Sequence, residues 1–239
     1  MVAGKSTLQS SRKNRADIAL IGSVVVTAML YAIPQAHVIA YPFVMLSTLA
    51  HEMGHGLASL AVGGHFFSFE MFSDGSGVAV TGGSEGRFAR AAVVLGGLIG
   101  PAVFAAVLFR LGKSEVLSRL TLMLLGALLL VAEFLLVSNS FGWIFVGAVA
   151  AAFLFLAQQP KGWAAQSSLI FIATQLALSV FSRSDYLFTN TAQTSKGLMP
   201  SDVAQIADLL FLPYWLWGFL IGLLSVAILV WGLWSSPRS

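Results

Sequence analysis

The chain has 239 residues, of which 57% are hydrophobic and only 10% charged, with a formal net charge of +3. Average soluble domains carry roughly 25% charged residues, and a mean hydropathy of +0.86 is more apolar than a soluble fold of this length can hide. The absence of cysteine excludes disulfides, thiolate metal ligands and a cysteine nucleophile, and the small positive charge, placed near the ends of apolar runs, argues against a nucleic-acid partner.

Residues 1–17 read as a cytoplasmic N-terminal segment in which Lys5, Arg12, Lys13 and Arg15 precede the first apolar run. No small-residue cleavage signal closes that run, so it reads as an uncleaved membrane helix and not as a signal peptide. Residues 18–239 then form a single membrane domain. A span needs about 20 apolar residues, and seven candidates follow: 18–33, 42–62, 88–111, 117–137, 141–157, 163–181 and 212–234. The expected fold is an all-α polytopic membrane protein of about seven transmembrane helices. Between the second and third spans, the alternating Phe67, Phe69 and Met71 and then Val78 and Val80 flank Asp74-Gly75-Ser76-Gly77. That pattern predicts a β-hairpin. Open strand edges do not tolerate lipid, so the hairpin belongs at the interface or inside a protein-enclosed cavity. The N-terminal basic cluster orients the N-terminus to the cytoplasm.

The second span contains His51-Glu52-Met53-Gly54-His55, an H-E-x-x-H motif. On a helix, positions i and i+4 share a face, so both imidazoles can ligate one zinc ion, with one zinc per chain expected. Glu52 can then serve as general base toward a water at that metal. Ionisable groups are costly in hydrocarbon, and coordination to a metal offsets that cost. Other readings of the same residues are satisfied core histidines, a proton relay, a non-proteolytic zinc transporter or scaffold, or a membrane hydrolase of a non-protein amide or ester. Transport calls for further ligands along a path, and beyond Glu133 the spans offer few. A base beside the ligands favours hydrolysis, since a purely structural site has no use for one.

The stretch HEMGHGLASLAVGG, the hairpin FFSFEMFSDGSGVAVTGG and the following AAVVLGGLIGPAVFA resemble the site-2 protease class of intramembrane zinc metallopeptidases, and more narrowly its compact branch without a PDZ domain. The likeness covers about residues 42–107 and returns in PSDVAQIADLLFLPYWLWG. It implies a zinc-dependent endopeptidase acting on transmembrane protein substrates in a lipid bilayer, expected to be the bacterial inner membrane. It makes His51 and His55 zinc ligands and Glu52 the general base. Better-known members take a third ligand from a Pro-Asp-Gly aspartate, which this chain lacks; its Asp74-Gly75 falls in the hairpin turn.

The compact branch instead carries a Ser-Asp-small element before its last span. Ser201-Asp202-Val203 matches it, which implies Asp202 as third ligand, with Asp185, just after the preceding span, as the alternative. His37, His65, Glu70, Asp74, Glu85, Glu133 and Asp208 complete the candidates by elimination. Phe67, Phe69, Val78 and Val80 are candidate substrate contacts, because a hairpin edge can pair with an extended peptide. Gly54 and Gly56, with Gly96, Gly97 and Gly100, suit a close helix–helix approach.

Overall fold

The computed structural model describes residues 17–29, 37–182, 184–195 and 197–234, without the side chains of 37, 182, 184 and 185. Except for Asp17, the N-terminal segment 1–17 lies outside the described residues. Eight helices are present in this part of the chain. They are α1 (Asp17–Met29), α2 (His37–Ala61), α3 (Arg87–Leu111), α4 (Glu115–Leu136), α5 (Ser140–Ala157), α6 (Gly162–Ser182), α7 (Asp202–Leu210) and α8 (Tyr214–Trp234). Strands β1 (His65–Met71) and β2 (Gly77–Gly82) make one antiparallel hairpin between α2 and α3, and β3 (Thr191–Thr194) and β4 (Gly197–Pro200) make another between α6 and α7.

Five helices, α3, α4, α5, α6 and α8, are long and apolar enough to cross a membrane. Hydropathy alone suggests seven spans. The difference lies in α1, which is shorter, and in α2, which has the length at 25 residues but is diluted by its polar motif. The segment before the last span is also more elaborate than its hydropathy suggests, because a second hairpin and the nine-residue α7 are set apart from α8.

Burial separates a centre from a lipid-facing rim. In α3, 56% of the most apolar window is buried, against 22% in α4 and 28% in α8. Exposed Leu124, Leu128, Phe134 and Leu135 on α4 form an apolar face that suits acyl chains and would be a liability in water. The central α3 packs against α2, α6, α7 and α8. Its buried Ala102, Ala105, Leu108 and Phe109 join Leu169 and Ala173 of α6 in the largest core cluster.

The α2–α3 seam is built from glycine. A Cβ at Gly54 would meet the carbonyl of Gly96, and one at Gly100 would sit 2.8 Å from the Ala50 carbonyl oxygen. The backbones therefore touch directly, as small residues permit in membrane bundles. Gly56 faces Phe66 of β1 instead.

The first hairpin is fastened on both sides. Tyr41 of α2 donates to the Ser73 carbonyl at 2.9 Å and Thr48 to the Gly75 carbonyl at 2.7 Å. On the other side Asn139, the N-cap of α5, accepts from the Met71 N–H at 3.2 Å and donates to its carbonyl at 2.6 Å.

Overpacking a tight interface costs about 1–3 kcal/mol, so Gly54→Ala should lower the melting temperature of the detergent-solubilised protein by several degrees. Gly22→Ala on α1, where nothing lies within 4 Å, should be neutral or slightly stabilising. Equal melting temperatures for the two variants would refute the seam.

Candidate metal centre

The one-turn spacing in α2 aims His51 and His55 at the N-terminus of α7. There Ser201 caps the helix, accepting from the Ala204 N–H at 3.2 Å while donating to the Thr189 carbonyl at 2.6 Å. This places the next residue, Asp202, against both imidazoles. Asp202 Oδ2 lies 2.9 Å from His51 Nε2 and 3.4 Å from His55 Nε2, and the two Nε2 atoms are 3.1 Å apart. Among the described residues these three form the cluster able to hold a metal ion.

The donor chemistry fits a small divalent cation. His55 Nδ1 lies 3.0 Å from the Val93 carbonyl of α3. As N–H it donates there, which leaves Nε2 of the neutral ring with its lone pair toward Asp202, an outer-shell arrangement common for metal-binding histidines. Asp202 Oδ2 is buried and receives no ordinary hydrogen bond. Three atoms able to ligate a metal thus converge, and tetrahedral zinc ligands at their usual bond lengths stand about 3.3–3.4 Å apart, close to the spacing found. Gly97 of α3 makes the room, since a Cβ there would overlap the His55 ring.

Glu52 is buried beside the cluster. A Cβ at Gly77 of β2 would fall 2.7 Å from Glu52 Oε1, so glycine lets the strand lie directly on the carboxylate, and the Ala79 N–H is aimed at it. Two adjoining cavities, of about 260 and 220 Å³, both border His51, Glu52, Gly77, Tyr186, Ala192 and Thr194.

The other candidates lie elsewhere. Asp74 Oδ1 accepts from the Ser76 N–H and hydroxyl at 2.9 and 2.7 Å, and Oδ2 accepts from the Ser195 hydroxyl at 2.6 Å. The bonds from Ser195 and then Ser76 hold its carboxyl below the usual range. Glu133 is buried on α4 against Gly147 of α5, apart from the cluster. The side chain of Asp185 lies outside the described residues.

Of the four hairpin candidates, Val78 borders the cavity. Phe69 is wholly buried in a core cluster with Met45, Met71 and Val146, because the inner face of β1 packs on α2 and α5. Phe67 and Val80 are exposed and do not line the cavity. Strand β3, which does line it, carries no sequence signal beyond a short polar stretch between two spans.

A family model described as Peptidase M50B-like matches residues 21–232. No curated protein and no solved structure matches the chain.

Purified protein should bind about one zinc per chain. Asp202→Ala and His55→Ala should each weaken zinc affinity by more than the roughly 10–100-fold typical of losing an outer-shell partner, as measured by chelator competition. Wild-type-like affinity in Asp202→Ala would remove it from the site.

Because the folded carboxyl of Asp74 is shifted down, the stabilisation it confers is complete above the unfolded range near pH 4. It is lost as pH falls through the lower folded value. Hydrogen exchange at the bonded amides of Ala192 and Thr194 should therefore be faster at pH 7 in Asp74→Asn than in the wild type. Unchanged exchange would mean that this contact holds nothing.

Proposed function

The chain belongs to the Peptidase M50B-like family, and from that premise we propose that it is a zinc-dependent intramembrane endopeptidase cutting membrane-spanning or membrane-adjacent proteins. The observation that carries the reading is the convergence of His51, His55 and Asp202 beside the buried carboxylate of Glu52. In this reading His51, His55 and Asp202 would hold the metal, three protein ligands being the number usual for catalytic zinc. Zinc bound there supplies Lewis acidity, polarising the scissile carbonyl and lowering the pKa of water toward roughly 7.

Glu52 takes a proton from the attacking water and returns it to the leaving nitrogen as the peptide bond breaks. Val93 keeps His55 in the tautomer that presents Nε2. A helical substrate hides its carbonyls in its own hydrogen bonds, so it must unwind before it reaches Glu52. The edge of β2 then offers a pairing partner for the extended segment. A bacterial cytoplasmic membrane with the N-terminus inside is the proposed setting.

Glu52→Gln should abolish cleavage of a model transmembrane peptide carrying a helix-destabilising stretch, with a rate loss of at least about 10²–10⁴-fold, and should leave zinc content near wild type. Retained cleavage would exclude Glu52 as the base. Loss of zinc together with activity would make it part of the metal site instead.

A further inference from the structure

Residues of two strands, β2 and β3, border the same cavities, and the register of each hairpin tells which backbone groups turn outward from it. In an antiparallel pair, residues bonded to their partners alternate with residues whose N–H and C=O turn outward. In the first hairpin Phe72 donates to the Ser76 carbonyl at 2.9 Å, so the paired residues Met71↔Gly77 and Phe69↔Ala79 turn outward. The outward groups of β1 confirm this, since Phe69 O accepts from the Ser138 N–H at 3.1 Å and Asn139 binds both backbone groups of Met71. The outer edge of β1 is thereby closed. The outer edge of β2 presents Gly77 and Ala79; the Ala79 N–H turns to Glu52, and the backbone groups of Gly77 and the Ala79 carbonyl are left.

The second hairpin obeys the same alternation. Ser201 donates to the Asn190 carbonyl at 3.0 Å, which places Ala192↔Met199 and Thr194↔Gly197 in the bonded set and turns Thr191 and Gln193 outward. Pro200, opposite Thr191, occupies an outward position, where its missing N–H breaks no ladder bond. All four residues Thr191–Thr194 border the larger cavity. Successive side chains of a strand point to opposite faces, so the edge of β3 lines this cavity, whereas the smaller one beside His55 and Asp202 is bordered by one face of the hairpin, through Ala192, Thr194 and Met199. Among the described residues no further bond reaches the main chain of Gly77, Thr191 or Gln193. The hairpin tips are joined, with Ser195 donating from its hydroxyl to Asp74 at 2.6 Å and from its N–H to Ser76 Oγ at 3.4 Å.

We infer that the substrate is gripped on both edges: an extended polypeptide segment enters between β2 and β3, pairs with the main chain of Gly77 and the Ala79 carbonyl on one side and with Thr191 and Gln193 on the other, and joins both hairpins into one sheet over His51 and Glu52. This inference rests on the peptidase reading and narrows its substrate to a single unwound segment. A helix, about 10–12 Å across with its backbone groups already bonded, has nothing to offer either edge. Gln193 acts through its main chain, as a positioning residue. The clasp at Asp74 and Ser195 closes one end of the slot.

The test compares prolines on the two edges of the second hairpin in the full-length, detergent-solubilised protein. Gln193→Pro removes an N–H on the outer edge of β3, which borders the cavity, whereas Leu198→Pro removes one on the opposite edge of the hairpin. The probe is a labelled synthetic transmembrane peptide with an Asn-Gly pair in its apolar stretch. KM and kcat are measured in the active protein, and the peptide Kd in the Glu52→Gln background.

Gln193→Pro should raise KM and Kd about threefold to tenfold, the loss of one hydrogen bond, with kcat, zinc content and melting temperature near wild type. Leu198→Pro should stay near wild type. A Gln193→Pro that binds like wild type, or a Leu198→Pro equally weakened, overturns the two-edged slot. If the wild type cleaves nothing, the peptidase reading fails, and the Kd comparison still decides the slot.

Because the chain has no cysteine, Gln193→Cys and Leu198→Cys give a second measurement that does not depend on a tolerated proline. A single-cysteine peptide should form a disulfide at 193 and not at 198. Equal or absent cross-linking overturns the proposal.

Discussion

The close approach of α2 and α3 is the contact on which the rest of the arrangement depends. Two polar rings and a carboxylate on α2 have to be buried in an apolar bundle, where unpaired polar atoms are expensive. Glycines at 54, 96 and 100 bring the helix backbones into touch. With the helices that close, the Val93 carbonyl reaches His55 Nδ1 and Gly97 leaves space for the ring. A wider seam would leave Nδ1 unsatisfied and Nε2 free to turn from Asp202.

Around that seam each hairpin is tied to the helix that carries a site residue. The first is bonded through Thr48, one turn before Glu52, and through Tyr41, so β2 is a fixed wall beside that carboxylate. The second runs straight into Ser201 and Asp202, with Ser201 serving as helix cap and as the bond that closes the hairpin base. Holding β3 and positioning Asp202 are thus one structural act. The tip of this hairpin, by contrast, is held by exposed hydrogen bonds to Asp74 and Ser76, which surface water competes for.

Much of the centre was legible beforehand because it is local. His51, Glu52 and His55 lie within five consecutive residues, and helical periodicity alone puts the two histidines on one face. The first hairpin was legible for the same reason, through its alternation and its glycine-rich turn. The substrate contacts were less so. Phe69 and Val78 belong to the same alternating pattern, yet Phe69 is sealed in the core while Val78 borders the cavity. Alternation names two faces without saying which one the bundle covers. The second hairpin went unread because its strands are only four residues long and mostly exposed, so no hydrophobic period marks them.

The sequence by itself determined that this is a helical membrane protein and that α2 carries two imidazoles and a carboxylate on a helical repeat, because composition and short-range spacing are sufficient for both. Which distant carboxylate completes the cluster was decided by tertiary structure. Asp202 is some 150 residues from the motif, and only the packing of α7 on α3 brings it within 2.9 Å of His51. The same holds for the Val93 carbonyl and for the outer edges of β2 and β3. A main-chain group has no residue identity to read, and which way it points is set by strand register and by what packs beside it.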